Sequence, residues 1–142
     1  MPVEIGDVIE LDELHSFVGN KKNKLWIWLA KLRFKKQILA YSIGDRSAES
    51  LKKLWNKIPK KFKSLLSFSD KWKAYSEILN PETHTCVSKQ SGETSHIERF
   101  NNTLRQRIGR LVRKTLSFSK SETMHDLVIR QFIVDYNLSL IF

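Results

Sequence analysis

The hydrophobic positions of this chain fall into short strand-like runs in its first third and into helical stripes in its last third. Val8 to Leu14 has the length and β-branched start of a strand, and alternation sets Ile9, Leu11 and Glu13 on one face and Val8, Glu10, Asp12 and Leu14 on the other. Gly19 to Lys24 reads as a polar connection. Leu25-Trp26-Ile27-Trp28-Leu29-Ala30 is apolar on both faces, the pattern of a central strand covered on both sides. A short turn at Arg33–Lys36 leads to a third strand, Ile38–Ile43, and short links of this kind predict an antiparallel meander. Ser47 is placed to cap a helix with the stripe Leu51, Leu54, Trp55 and Ile58, ended by Pro59. A weaker strand over Phe62–Phe68, a short helix over Lys71–Leu79 and a short strand over Thr83–Val87 follow. Ser95–Lys114 carries Ile97, Phe100, Leu104, Ile108 and Leu111 at helical spacing. A last helix is expected from Ser119, where Ser119 and Glu122 fit a capping box, with the stripe Met124, Val128, Phe132 and Tyr136. The order predicts an α/β fold: an antiparallel three-strand meander, then crossover units that extend a mixed sheet.

Composition narrows the setting. The 142 residues suit one domain, and 41% apolar content with five Gly and three Pro argues against disorder. The formal net charge is +10, from 25 Lys and Arg against 15 Asp and Glu, which points to a polyanionic partner and above all to nucleic acid. Cys86 is the only cysteine, which excludes an internal disulfide and a Cys-x-x-Cys zinc site and fits a reducing cytoplasm. No apolar run reaches the roughly 18 residues of a membrane span, and Met1-Pro2-Val3-Glu4 does not open a signal peptide. The expectation is a cytoplasmic protein without a membrane partner.

Within this basic chain three acids stand in distinctive neighbourhoods: Asp12, Asp70 and Glu98. About three carboxylates around two divalent ions roughly 4 Å apart is the requirement of two-metal phosphoryl transfer, and Mg²⁺ prefers such oxygen ligands. If these acids serve it, their carboxylates converge within about 8 Å. Each also has a plain structural reading. Asp12 fits a solvated acid on an edge strand, Asp70 the N-cap of the helix that follows it, and Glu98 the third position of a capping box with Ser95. Spacing alone does not decide between these readings.

The helix that follows adds a second signal. Arg99, Arg105, Arg107, Arg110, Arg113 and Lys114 come after Glu98, and no acid appears until Glu122. Arg105 stands two turns beyond Glu98 on the same face, with Asn101 and Asn102 between them. A face of Glu, Asn and Arg offers a metal ligand beside phosphate contacts. A solvated basic helix is the plainer alternative. His15, His84, His96 and His125 lack metal-ligand spacing; His84 and His125 read as structural, and His96 stands close enough to Glu98 to touch the site. Cys86 and the four tryptophans read as packing residues.

Three segments together resemble a known family. They are Glu10-Leu11-Asp12-Glu13-Leu14-His15-Ser16-Phe17-Val18-Gly19, Ser69-Asp70-Lys71-Trp72-Lys73-Ala74-Tyr75, and Ile97-Glu98-Arg99-Phe100-Asn101-Asn102-Thr103-Leu104-Arg105-Gln106-Arg107 continuing into Arg113–Ser121. They are similar to the transposases of the bacterial insertion-sequence-1 family, within the DDE, ribonuclease-H-like superfamily, from about Glu10 to Tyr136. The resemblance implies a five-stranded mixed sheet with helices on both faces. It implies Asp12, Asp70 and Glu98 as catalytic ligands of Mg²⁺, or of Mn²⁺, and Arg105 as the basic residue seven after the Glu. The implied activity is cleavage at transposon ends, followed by attack of a 3′-hydroxyl on target DNA. Double-stranded DNA is then the partner, contacted by Arg99, Asn102, Arg105, Arg107, Arg110, Arg113 and Lys114, with a homo-oligomer assembled on it at the bacterial nucleoid. Residues 1–142 are expected to form a single catalytic domain lacking the family's upstream zinc-finger and helix-turn-helix region. Two alternatives stay open: a catalytically idle DNA-binding remnant or inhibitor, and a ribonuclease-H-like nuclease on branched DNA or RNA–DNA hybrids.

Overall fold

The computed structural model describes residues 7–18, 20–88, 91–92, 94–114 and 122–140. Strands β1 (Val8–Val18), β2 (Asn20–Leu32) and β3 (Ile38–Gly44) form the antiparallel meander. Helix α1 (Ala48–Lys57) and a 3₁₀ turn (Lys60–Phe62) lead to β4 (Leu66–Ser69), helix α2 (Lys73–Ile78) and β5 (His84–Cys86). Helices α3 (Ser95–Lys114) and α4 (Glu122–Ser139) complete the order. The sheet runs β3-β2-β1-β4-β5, with β4 parallel to both β1 and β5. This is the expected five-stranded mixed sheet with helices on both faces.

The two faces of β1 and β2 build two cores. Ile9, Leu11, Trp28, Ala30 and Leu32 pack with Leu51, Leu54 and Ile58 of the α1 segment and with Tyr75 of α2. Leu14, Ile27 and Leu29 pack on the other side with Ile97, Phe100 and Leu104 of α3 and Ile129 and Ile133 of α4. Ile27, Trp28, Leu29 and Ala30 are fully buried, so the doubly apolar run does mark a strand covered on both faces.

Several boundaries differ from the sequence reading. β1 extends to Val18, and β2 begins at Asn20, within the run expected to be a polar connection. Ladder hydrogen bonds use backbone groups that every residue carries, so a polar stretch continues a hairpin once its partner strand is in register. The strand expected over Phe62–Phe68 begins only at Leu66; Phe62 instead enters the core from the 3₁₀ turn. On α4 the expected Val128, Phe132 and Tyr136 pack half-buried against the core, and Ile129 and Ile133 beside them lie deeper, so the apolar face is wider than the expected stripe. The capping box at Ser119 lies outside the described residues, as do the side chains of Met124 and His125. α4 also closes the sheet edge. Asn137 accepts from the Ile38 backbone N–H (2.9 Å) and donates to the Ile38 carbonyl (3.1 Å), and the Tyr41 hydroxyl donates to Asp126 (2.8 Å).

Two further positions follow from backbone geometry. Lys36, closing the β2–β3 turn, takes a left-handed φ of 63°, where a glycine costs less. At the end of β3, a Cβ on Gly44 would stand 2.8 Å from the Ser50 hydroxyl, so glycine lets α1 start close to the strand.

His84 is structural. Its Nδ1 meets the Ser67 hydroxyl at 2.7 Å, its Nε2 meets the Ser69 hydroxyl at 2.8 Å, and Tyr75 stacks on it at 6.0 Å. Burial pushes its pKa down to about 4. An unfolded histidine takes its proton near 6.5, so the unfolded chain binds the proton first as pH falls. The contribution of His84 is therefore intact above about pH 6.5 and is lost toward pH 4, by roughly 2–3 kcal/mol in all. Replacing it by Gln, His84→Gln, will flatten this loss. Urea unfolding at pH 7, 5.5 and 4.5 checks it: parallel stability profiles for the two proteins would show that His84 does not stay neutral in the fold.

Candidate active site

The parallel pairing of β1 with β4 sets the site. Glu10 pairs with Phe68, and two residues further along each strand direction stand Asp12 and Asp70. Asp12 points to the α3 side of the sheet, where its Oδ2 accepts from Asn101 Nδ2 at 2.7 Å, and its Oδ1 accepts the Glu13 backbone N–H at 2.9 Å. Asp70 follows the last residue of β4, and its Oδ1 accepts the Trp72 N–H at 2.9 Å. That bond organises the turn before α2, whose own cap is Trp72. Glu98 lies in the first turn of α3 and accepts from the Thr94 hydroxyl at 3.3 Å; Thr94, which carries no signal in the sequence pattern, is its observed partner there.

These three acids line one hollow of about 280 Å³, together with Glu13, Arg46, Asn101 and Asn102. One oxygen each from Asp12, Glu13 and Asp70 lie within 4.8 Å of one another, with Glu98 at the same hollow outside that trio. Hard divalent cations take such oxygen donors, and burial together with like charge disfavours the ionised form of acids at this site. Burial, and then the Glu13 carboxylate, push the pKa of Asp12 up to about 7, with Asp70 and Glu98 adding to the rise. Burial also raises Glu13, against the Tyr75 hydroxyl that stabilises its charged form. The donor set fits a divalent cation.

Glu13, the acid that follows Asp12 in the first motif and the next candidate for a ligand after it, also belongs to the site. As alternation predicts, it lies on the α1–α2 side, where Tyr75 donates to Oε2 and Arg46 bonds Oε1 at 3.0 Å. Burial, followed by the Glu13 charge, holds the Tyr75 phenol well above its usual range, so it stays a donor. Arg46 is in turn stacked 3.9 Å from the ring centre of Trp72 and 4.6 Å from that of Trp26. Nothing local in the sequence marks Arg46, because the contact joins a loop to residues of β1, β2 and the β4–α2 turn. A second hollow of about 310 Å³ shares Arg46 and Asp70 with the first and adds Lys71, Trp72, Val87 and Ser88.

Glu10 has a different task. It is fully buried, with Oε2 on Arg33 Nε (3.4 Å) and Oε1 accepting from the backbone N–H groups of His96 (3.2 Å) and Ile97 (3.5 Å). An anion at the start of α3 satisfies amides that the helix leaves free. His96 thus contributes backbone groups; its carbonyl accepts from Lys31 Nζ at 3.5 Å. Arg99 and Asn102 are exposed on α3. The side chains of Arg105, Arg107, Arg110, Arg113 and Lys114 lie outside the described residues, although all five belong to the helix.

Comparison with known proteins agrees with this architecture. The family model for the IS1 transposase matches residues 7–138. The chain is 36% identical over 124 residues to the Insertion element IS1 4 protein InsB of Escherichia coli (strain K12), covering 87% of this chain and 72% of that protein. It is 38% identical over 128 residues to the Insertion element iso-IS1n protein InsB of Shigella dysenteriae, covering 89% and 93%. Among solved structures, the HTLV-2 integrase catalytic core domain, in complex with magnesium and in trimeric form, superposes with a TM-score of 0.61 at 14% identity, over 89% of this chain and 81% of that one. That likeness is one of fold, the ribonuclease-H-like arrangement of sheet and helices. With a sequence match over nearly its whole length and the fold to go with it, this chain belongs to the IS1 transposase family.

Proposed function

We propose that this chain performs the chemical steps of transposition: divalent-metal-dependent cleavage at transposon ends, then transfer of the freed 3′-hydroxyl into target DNA. The observation that carries the reading is the meeting of Asp12, Asp70 and Glu98, from three separate elements, around one hollow of a strongly basic chain. Asp12, Asp70 and Glu98 would hold Mg²⁺, with Mn²⁺ as a substitute, and Glu13 stands within reach of the same site. When bound, such ions activate the attacking oxygen and stabilise the leaving oxygen of an in-line displacement.

The chain's own residues do the rest. Asn101 fixes one oxygen of Asp12 and the Glu13 amide fixes the other, so the carboxylate is oriented before any substrate arrives. Arg46 brings a cation to the rim shared by the two hollows, where a phosphodiester on its way to the acids needs one. The exposed Arg99 and Asn102, with Arg105, Arg107, Arg110, Arg113 and Lys114 further along α3, supply contacts to the DNA backbone. Each chain brings one acid hollow and a transposon has two ends, which favours a homo-oligomer assembled on DNA. No helix among the described residues is long and apolar enough to cross a membrane. The reading places the protein at the bacterial nucleoid in the cytoplasm.

Replacing Asp12 by Asn will abolish cleavage and strand transfer and leave DNA affinity near normal, because phosphate contacts reside elsewhere. Retention of more than about a tenth of the activity, against the several kcal/mol that a correctly placed metal supplies, would show that Asp12 is not a ligand. Transposon-end duplex, four-way junction and RNA–DNA hybrid tested side by side separate a transposase from a nuclease of the same fold.

The same variant reports on stability. A folded pKa near 7 against an unfolded value of 3.8 means that ionised Asp12 weakens the ion-free fold, progressively as pH rises from about 4 through 7. Asp12→Asn removes that cost. In chelator at pH 8 it will be more stable than the parent by about 1–3 kcal/mol, and the gap will close toward pH 4. Mg²⁺ will raise the melting temperature of the parent but not of the variant. Thermal melts across pH, with and without Mg²⁺, check both points.

Replacing Arg107, Arg110 and Arg113 together by Ala will weaken binding to all duplexes alike. It will also flatten the plot of log affinity against log salt by roughly one unit for each arginine–phosphate pair removed. An unchanged slope would move the DNA path to Lys52, Lys53 and Lys57 of α1 and to Lys60 and Lys61, which are exposed.

A further inference from the structure

Asn101 stands one turn after Glu98 on α3 and is 4% exposed. Its amide nitrogen donates to Asp12 Oδ2 at 2.7 Å, the orientation that an ionised Asp12 requires, since a carboxylate only accepts. The amide oxygen is buried, no donor among the described residues reaches it, and Asn101 is one of the residues that line the acid hollow. A buried acceptor without a donor destabilises the fold, and a bound ligand or ion that completes it is one reason a chain keeps such a group. The other polar groups that line the hollow do not answer this need. Asp12, Glu13, Asp70 and Glu98 are acceptors when ionised, and neither Arg46, which bonds Glu13 through one terminal nitrogen, nor Asn102 makes a hydrogen bond to the amide oxygen. What fits between an amide oxygen and several carboxylates is a cation that keeps water of hydration, as Mg²⁺ does.

We propose that Asn101 is a positioning residue of the cation site, holding Asp12 through its nitrogen and receiving a hydrogen bond from the ion's hydration water through its oxygen. The proposal rests on the reading of Asp12, Asp70 and Glu98 as cation ligands. It gives Asn101 two linked tasks. The Asp12 bond braces α3 against β1, so the helix that carries Glu98 and the strand that carries Asp12 keep one relative position. The second oxygen adds an acceptor that contributes no further negative charge to a site already crowded with it.

The test uses the full chain without DNA, followed by end cleavage. Thermal shift is measured against Mg²⁺ and Mn²⁺ concentration for the parent, Asn101→Ala, Asn101→Leu and Asp12→Asn; Leu fills nearly the same space and offers neither donor nor acceptor. Partners of ligating carboxylates typically contribute 10- to 100-fold in metal affinity. Both Asn101 variants will therefore need roughly tenfold more Mg²⁺ for half the thermal shift and for half-maximal cleavage. Their DNA affinity in chelator will match that of the parent. A purely structural asparagine would lower the melting temperature in chelator and leave the Mg²⁺ midpoint where it was. If Asp12→Asn loses the Mg²⁺ response while both Asn101 variants keep the parental midpoint, the Asn101 proposal is overturned and the ligand reading stands. If Asp12→Asn keeps the full response, the ligand reading itself fails.

Discussion

A carboxylate taken from water into a sheet costs several kcal/mol unless something compensates its charge. Strand β1 takes three of them where solvent is scarce: Glu10, Asp12 and Glu13. Their compensation differs, and the difference organises the molecule. Glu10 has Arg33 and the first amides of α3. Glu13 has Arg46 and the Tyr75 hydroxyl. Asp12 has one backbone amide and one asparagine, with no cationic partner among the described residues, and three other acids at the same hollow: Glu13, Asp70 and Glu98. The first two are anchors that the protein satisfies from its own residues. The third is left with a charge that an external cation is suited to complete.

The anchors explain why the third acid is well placed. Glu10 fixes the start of α3 over β1, and the stripe Ile97, Phe100 and Leu104 fixes its rotation by filling the core against Ile27 and Leu29. With position and rotation both set, Glu98 and Asn101 arrive at the hollow on the polar edge of that stripe. Glu13 works from the opposite face. Its bond to Arg46 ties the loop before α1 to the central strand, and the indoles of Trp26 and Trp72 hold the guanidinium. The hollow is thus framed by strands and a helix with cores on both sides, which is the rigid support that oriented carboxylates need.

The fold was legible because its signals are local and strong. The doubly apolar run from Leu25 to Ala30 marks a central strand by itself, and the stripe on Ser95–Lys114 marks a helix with those bounds. Boundaries were less legible where backbone pairing rather than side-chain pattern decides, as at Asn20–Lys24, where β2 runs through a polar stretch. The site was legible only in part. The motifs singled out Asp12, Asp70 and Glu98, and the structure sets them at one hollow. Arg46 and the burial of Glu10 were not legible, because both depend on contacts between residues far apart in sequence: Arg46 with Glu13 and Trp72, Glu10 with His96 and Ile97. A single sequence carries no local mark for such pairs.

Acids crowded around a hollow weaken the ion-free fold, so the rest of the domain must carry that burden. It does so next to the site: Trp28 and Tyr75 lie on one side of β1 and β2, Ile97 and Leu104 on the other, all fully buried. Tyr75 shows how tightly the two demands are joined. Its ring packs with Trp28 and His84 in the core, and its hydroxyl holds Glu13 at the edge of the acid cluster. Removing the ring would open a cavity, whereas removing only the hydroxyl would leave Glu13 held by Arg46 alone. The core residue therefore sets the orientation of an acid within reach of the hollow, and packing and site geometry cannot vary independently in this chain.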